Sequence, residues 1–244
     1  MDRKRDIEKL YIGLMALKDN TGGFKFLKDP SLRNQCPKAG VYFFFDLSEL
    51  REDGGTPRIV RVGTHAISET SKSTLWSRLA QHRGNIKNGA GNHRGSIFRK
   101  LVGISAIKYG NSSPIRTWGM KSSIGAVARD FDLNSSEVSR NEFPLEKKVS
   151  EYIRNLPFLW LKIEDPAKGR AQRSIIERNS IALLSNYRRS PIDPSSKGWL
   201  GNHCDYGKGR KVMNSGLWNN DFVDEDYDPS FLGLLNTLID EAEF

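Results

Sequence analysis

Gly40-Val41-Tyr42-Phe43-Phe44-Phe45 and Arg58-Ile59-Val60-Arg61-Val62-Gly63 are two strand-length runs joined by the segment Arg51-Glu52-Asp53-Gly54-Gly55-Thr56-Pro57. Aromatic and β-branched residues fill the runs, while aspartate, glycine and proline punctuate the link, so the pattern predicts a β-hairpin. Downstream, Leu75 and Leu79 mark the apolar stripe of a helix that carries Arg78 and His82 four positions apart beside that stripe. A third apolar run, Phe158 to Ile163, predicts another strand. A helix from about Gly169 to Tyr187 follows and aligns Glu177 with Ile181 and Leu184. A carboxylate on an apolar stripe requires a partner, because burying it bare is expensive. The expected fold is α/β (α+β): a small three-stranded antiparallel-type sheet flanked by helices.

Outward from this centre, Ile7, Leu10, Tyr11 and Leu14 recur at helical spacing, which predicts an N-terminal helical extension over residues 1–37. The core is expected over 38–187, with Ser73 as N-cap of the Arg78 helix. An insertion at about 84–143 begins with the glycine-rich segment Gly84 to Gly95, which reads as a surface loop. Ser96 to Val102 reads as a short helix, and Asn111 to Asp130 shows no assignable period. A helix from Pro144 to Asn155 leads into the third strand. Residues 188–244 form a C-terminal extension, loop-rich around Pro191, Pro194 and Trp199 and closing in a helix near Pro229 to Glu241.

The chain has 244 residues, enough for one good core with appendages. Lys and Arg outnumber Asp and Glu by 38 to 29, a formal charge of +9 that suits a polyanionic partner, most often nucleic acid. Cys36 and Cys204 stand far apart, so neither a disulfide framework nor a zinc site is indicated. The sequence His203-Cys204 lacks the further ligands that zinc needs. The N-terminus is charged and no run approaches a membrane span of ~18 apolar residues, so a cytoplasmic protein without membrane association is expected.

In the order hairpin, Arg/His helix, strand, Glu helix, the chain resembles the GIY-YIG nuclease family over about Gly40 to Tyr187. Gly40-Val41-Tyr42 stands where the first signature triplet belongs and Arg61-Val62-Gly63 where the second does; Arg78 and His82 match the family's arginine and histidine, and Glu177 its metal-binding glutamate. The resemblance implies a GIY-YIG-like core with a helical insertion and a C-terminal extension. It also implies metal-dependent hydrolysis of DNA phosphodiester bonds; a binding module that keeps the fold without turnover is the alternative.

Roles follow from that resemblance and from side-chain chemistry. Glu177 is expected to hold one divalent cation, Mg²⁺ with Mn²⁺ as the alternative, because one carboxylate with retained waters suits a hard ion; an ion pair with Arg173 is its structural alternative. Arg78 offers a planar fork for phosphate oxygens, or a salt bridge to Glu177. Tyr42 is the residue implied to orient or deprotonate water, on a strand where tyrosine ordinarily packs. His82 can relay a proton. Arg61 replaces the usual tyrosine and cannot accept a proton, so the base falls to Tyr42 or His82. Asn186, Asn202 and Asn219 are candidates for the family's asparagine, and Asn186 lies nearest in sequence. Lys72, Arg83, Lys87, Arg94, Arg99 and Lys100 flank the helix and loop and could track a phosphate backbone. The partner that the resemblance implies is DNA, and a twofold target would favour a homodimer.

Overall fold

A computed structural model of the chain describes residues 2–65, 73–110, 115–120, 123–165 and 171–242. Helix α1 (Arg3–Asn20) is followed by a two-residue strand β1 (Lys25–Phe26), a one-turn helix α2 (Leu32–Gln35) and the hairpin of β2 (Gly40–Leu50) and β3 (Pro57–Thr64). Next come α3 (Leu75–Arg83), α4 (Ile97–Lys108), α5 (Ile124–Asp130), α6 (Ser135–Asn155), β4 (Pro157–Lys162) and α7 (Gln172–Leu184). The tail adds α8 (Lys211–Ser215) and α9 (Phe231–Asp240).

The sheet has four strands in the order β1-β4-β2-β3, all pairs antiparallel, rather than the expected three. The extra strand comes from the N-terminal segment, where Lys25 and Phe26 pair with Phe158 and Pro157. Two residues carry no periodicity, so only the pairing itself reveals them.

Side chains alternate across the central strands. Val41, Phe43, Phe45, Leu159 and Leu161 join the cluster containing α1, α7 and α9 residues such as Leu10, Ile176 and Leu235. Tyr42, Phe44, Phe158 and Trp160 join the opposite cluster with Leu79, Phe98, Val149, Trp199 and Trp218. β2 is therefore buried on both faces, which is why its apolar run is continuous. Between the pairs Phe44↔Arg61 and Phe45↔Ile59 the register shifts by one residue, leaving Val60 as a β-bulge.

Several boundaries differ from expectation. Thr74, not Ser73, caps α3, through a reciprocal box with Ser77. α4 extends to Lys108. α6 begins at Ser135, nine residues before Pro144, because Asn134 and Glu137 form a capping box and the proline is accommodated inside the helix.

The candidate active site at the open end of the hairpin

Gly40 and Gly63 are both required by close approaches. A Cβ on Gly40 would collide with the Leu161 carbonyl of β4, its neighbouring strand. Gly63 lies directly opposite Tyr42, and a Cβ there would overlap the Tyr42 ring, with Cε2 at 2.9 Å and Cζ and Oη closer still. The glycine of the second triplet thus makes the slot that the tyrosine of the first one fills.

Through that slot Tyr42 Oη reaches His82 Nε2 at 2.8 Å, linking β2 to α3. The other ring nitrogen, Nδ1, lies 2.8 Å from Ser96 Oγ. Arg99 donates to the His82 carbonyl at 2.8 Å and so fixes the end of α3. Burial, reinforced by the cations Arg61, Arg78 and Arg99, holds the His82 imidazole well below its ordinary range. The ring is therefore neutral at pH 7, with one nitrogen donating and the other accepting. Tyr42 and His82 are both 0% exposed, so solvent reaches the phenol only if a side chain of the surrounding wall moves.

Arg61 points to the same face of the sheet. Its guanidinium lies 4.8 Å from the centre of the Phe98 ring and donates to the Trp218 carbonyl. Arg78 is more open to solvent and reaches Gln81 Oε1 at 3.1 Å and the Gly95 carbonyl at 3.5 Å. Glu177, half-buried on α7, accepts the Thr64 backbone N–H at 3.1 Å where β3 ends. Burial raises the Glu177 carboxyl; the Thr64 N–H, Arg61 and Arg78 oppose the rise, and Asp221 adds to it. The two arginines thus bear on both Glu177 and His82. Tyr42, Arg61, Arg78, His82 and Glu177, separated by up to 135 positions in the chain, are brought together.

The structural alternatives weighed for Glu177 are not formed. Arg173 instead binds Asp165, with Nε to Oδ2 at 2.6 Å, and donates to His65 Nε2 at 2.7 Å. Among the described residues Glu177 has no ion pair, and its Oε2 has no protein partner.

Other sequence candidates lie elsewhere. Asn186, beyond the far end of α7, accepts from Arg3 at 2.9 Å and clasps Ile192 through its N–H and carbonyl. It ties α1 to the tail and does not join the cluster. Asn219 does lie beside it: it accepts from Val62 N at 3.1 Å and donates to Val62 O at 2.8 Å, next to Arg61 on the edge strand.

Among the expected DNA-tracking cations, Arg99 is completely buried, paired with Glu146 and bonded to Ser150 at 2.9 Å, and Arg94 holds Glu142 through two bonds of 2.5 and 2.7 Å. Both are corrected from DNA contacts to internal braces, because an arginine committed to a buried carboxylate has no fork left for phosphate. Arg83 lies over the Trp76 ring and Lys100 over Tyr206, while Lys87 is exposed. Lys72 lies outside the described residues.

Ser96, Thr64 and the Trp218 carbonyl also bear on the cluster. Ser96 was legible only as a helix start; that the same hydroxyl caps α4 and meets His82 depends on how the loop folds back. Thr64 and Trp218 act through backbone atoms, which carry no residue signature.

A divalent cation fits the donor chemistry here. Among the described residues there is no cluster of three or more His, Cys, Asp or Glu side chains, so a full protein cage is not offered. One carboxylate with an unpartnered oxygen suits an ion that keeps most of its waters and takes substrate oxygens. No helix of the described residues is long and apolar enough to cross a membrane.

No curated protein and no solved structure matches the chain. The family model described as "GIY-YIG domain" matches residues 1–244, the whole chain. With both signature triplets paired across one hairpin and the arginine, histidine and glutamate gathered at its end, the chain belongs to the GIY-YIG family of nuclease domains.

Proposed function

We propose that the protein is a metal-dependent endonuclease that hydrolyses DNA phosphodiester bonds. The observation that carries this reading is the Tyr42–His82 contact of 2.8 Å, set in the slot left by Gly63 and flanked by Arg61, Arg78 and Glu177. Packing alone gives no reason to gather a phenol, a neutral imidazole, two guanidinium groups and a half-buried carboxylate at one strand end.

Phosphodiester hydrolysis requires removal of a proton from water and neutralisation of charge on the phosphoryl oxygens. Tyr42 Oη takes the water proton as its own passes to neutral His82 across the 2.8 Å contact. Arg78, the more exposed arginine, grips a phosphate oxygen; Arg61, held by the Trp218 carbonyl, contributes fixed positive charge and no proton chemistry. Glu177 is the residue to hold Mg²⁺ or Mn²⁺, with Thr64 N–H orienting its other oxygen. When bound, such an ion supplies Lewis-acid stabilisation of the phosphoryl charge. Asn219, rather than Asn186, supports the site by fixing the backbone of β3 beside Arg61.

A second reading, a DNA-binding module without turnover, is favoured by the sealing of Tyr42 and His82 from solvent and by Arg61 at the position of a tyrosine. The experiment that separates the two is incubation of supercoiled plasmid with the purified protein, with Mg²⁺ and with chelator, beside Glu177→Ala. The nuclease reading expects metal-dependent nicking or linearisation that the variant abolishes. Binding without cleavage across a varied substrate panel supports the module.

A further inference from the structure

α5 and the start of α6 lie in the insertion, and the nuclease chemistry uses no side chain of α5 or of the outer face of α6. α5 ends in a Schellman motif: Asp132 is left-handed at φ 52°, Leu133 N–H bonds the Ala128 carbonyl at 2.9 Å, and Asp132 N–H reaches the Arg129 carbonyl at 3.4 Å. Four residues, Phe131 to Asn134, separate it from α6, whose start is fixed by the Asn134–Glu137 capping box. Val127, Ala128 and Val138 close a small core of their own, lined by Ile124, Phe131 and Leu133. Two helices, a tight turn of three to four residues with a left-handed position, and a private core make the helix-turn-helix arrangement.

We propose that α5 and the N-terminal half of α6 form a helix-turn-helix that reads the major groove of double-stranded DNA through the outer face of α6. This rests on the nuclease reading above and adds the element that selects the sequence. The inward stripe of α6, Val138, Glu142, Leu145 and Val149, is buried, with Glu142 neutralised by Arg94. On the opposite face Ser136, Arg140 and Lys147 are exposed, with Ser139 at their flank. Arg140 makes no hydrogen bond or ion pair among the described residues, so its fork is available. Hydroxyls and an arginine in the first turns of the second helix are the groups that meet base edges in this motif.

Position supports the same partner. A cleft of about 770 Å³ runs between α6 and the glycine-rich loop, with Ser139 and Phe143 on one wall and Gln81 and Gly95 on the other. Arg78 bonds both Gln81 and Gly95, so this cleft opens onto the proposed phosphate clamp. Along the loop, Asn85, Asn88 and Asn92 each spend their carboxamide oxygen on a backbone N–H of the loop itself, at 2.8 to 3.0 Å. Their Nδ2 groups are left as donors, which suits the acceptor oxygens of a DNA backbone.

The test is selection of duplexes from a pool with a randomised centre by the full chain in chelator, followed by affinity measurements on the enriched duplex and a scrambled one. Wild type is expected to enrich a base pattern. Arg140→Ala should weaken binding of the enriched duplex about 5- to 150-fold and the scrambled one far less, the range for losing one bidentate base contact. Arg140→Lys, which keeps the charge, should lose the same preference, and Ser136→Ala should shift it. Equal weakening on both duplexes, or an unchanged pattern in all three variants, overturns the proposal. So does plasmid cleavage by a wild type that enriches no pattern, which leaves the nuclease intact. If the chain neither binds nor cuts DNA, the nuclease reading fails first and this one falls with it.

Discussion

Gly63→Ala should damage the site without touching any charged group. The new methyl would overlap the Tyr42 ring, whose Cε2 is 2.9 Å away with Cζ and Oη closer still, so the phenol must retreat by at least about 1 Å to reach ordinary contact. A retreat of about 1 Å stretches the 2.8 Å bond to His82 beyond hydrogen-bond range. Overpacking a filled site costs ~1–3 kcal/mol. The broken buried bond adds ~0.5–1.5 kcal/mol. Together, about 1.5–4.5 kcal/mol corresponds to a fall of roughly 3–18 °C in Tm for a chain of this length. The assay is thermal unfolding with cleavage measured well below Tm, repeated in a Tyr42→Phe background. Removing the hydroxyl eliminates the bond in advance, so Gly63→Ala should add little further loss of cleavage there. Wild-type Tm and cleavage in Gly63→Ala, or equal losses in both backgrounds, would refute the reasoning.

Arg99→Ala should unfold the chain more readily, by ~3–5 kcal/mol, because Glu146 is left buried and charged; salt-dependent DNA affinity measured on the folded fraction should change little. Asn219→Ala should lower cleavage by loosening Val62 and Arg61, whereas Asn186→Ala should lower stability alone, a contrast that parallel rates and urea midpoints check. Stability should also fall on acidification. Burial and the Arg173 guanidinium, opposed by Asp165, push the His65 imidazole down to about 4 from 6.5. Between those values the unfolded chain binds a proton that the folded chain refuses, so the contribution is intact above about 6.5 and is lost as pH drops toward 4. Urea midpoints from pH 7.5 to 4.5 should show this slope, and His65→Asn should flatten it. Metal binding should weaken at higher pH than for an ordinary carboxylate, because burial raises the Glu177 carboxyl; Mg²⁺ titration by calorimetry between pH 5 and 8 would detect it.

The hairpin and the Arg78/His82 helix were legible because local rules and tertiary structure agree there: the apolar run of β2 is buried, and Leu75 and Leu79 face the core. Glu177 stands out by its stripe position, whereas Tyr42 and His82 stand out only through the family resemblance that the order of elements carries. Arg94 and Arg99 look like free cations in the sequence, whereas their partners Glu142 and Glu146 lie on α6, 48 and 47 positions away. For the asparagines, sequence proximity favours Asn186, while the tail returns along β3 and places Asn219 against Val62. α5 escaped notice because Gly125, Ala126 and Ala128 blur its apolar period, and Pro144 suggested a helix start that the Asn134 capping box moves upstream.

The most direct test of the central claim is single-turnover cleavage of one labelled duplex by wild type, Tyr42→Phe and Glu177→Gln in Mg²⁺, with binding of the same duplex measured in chelator. Binding is expected within a few-fold for all three, with cleavage reduced ~10²–10⁴-fold in Tyr42→Phe and none detectable in Glu177→Gln. Cleavage at the wild-type rate in either variant would contradict that claim.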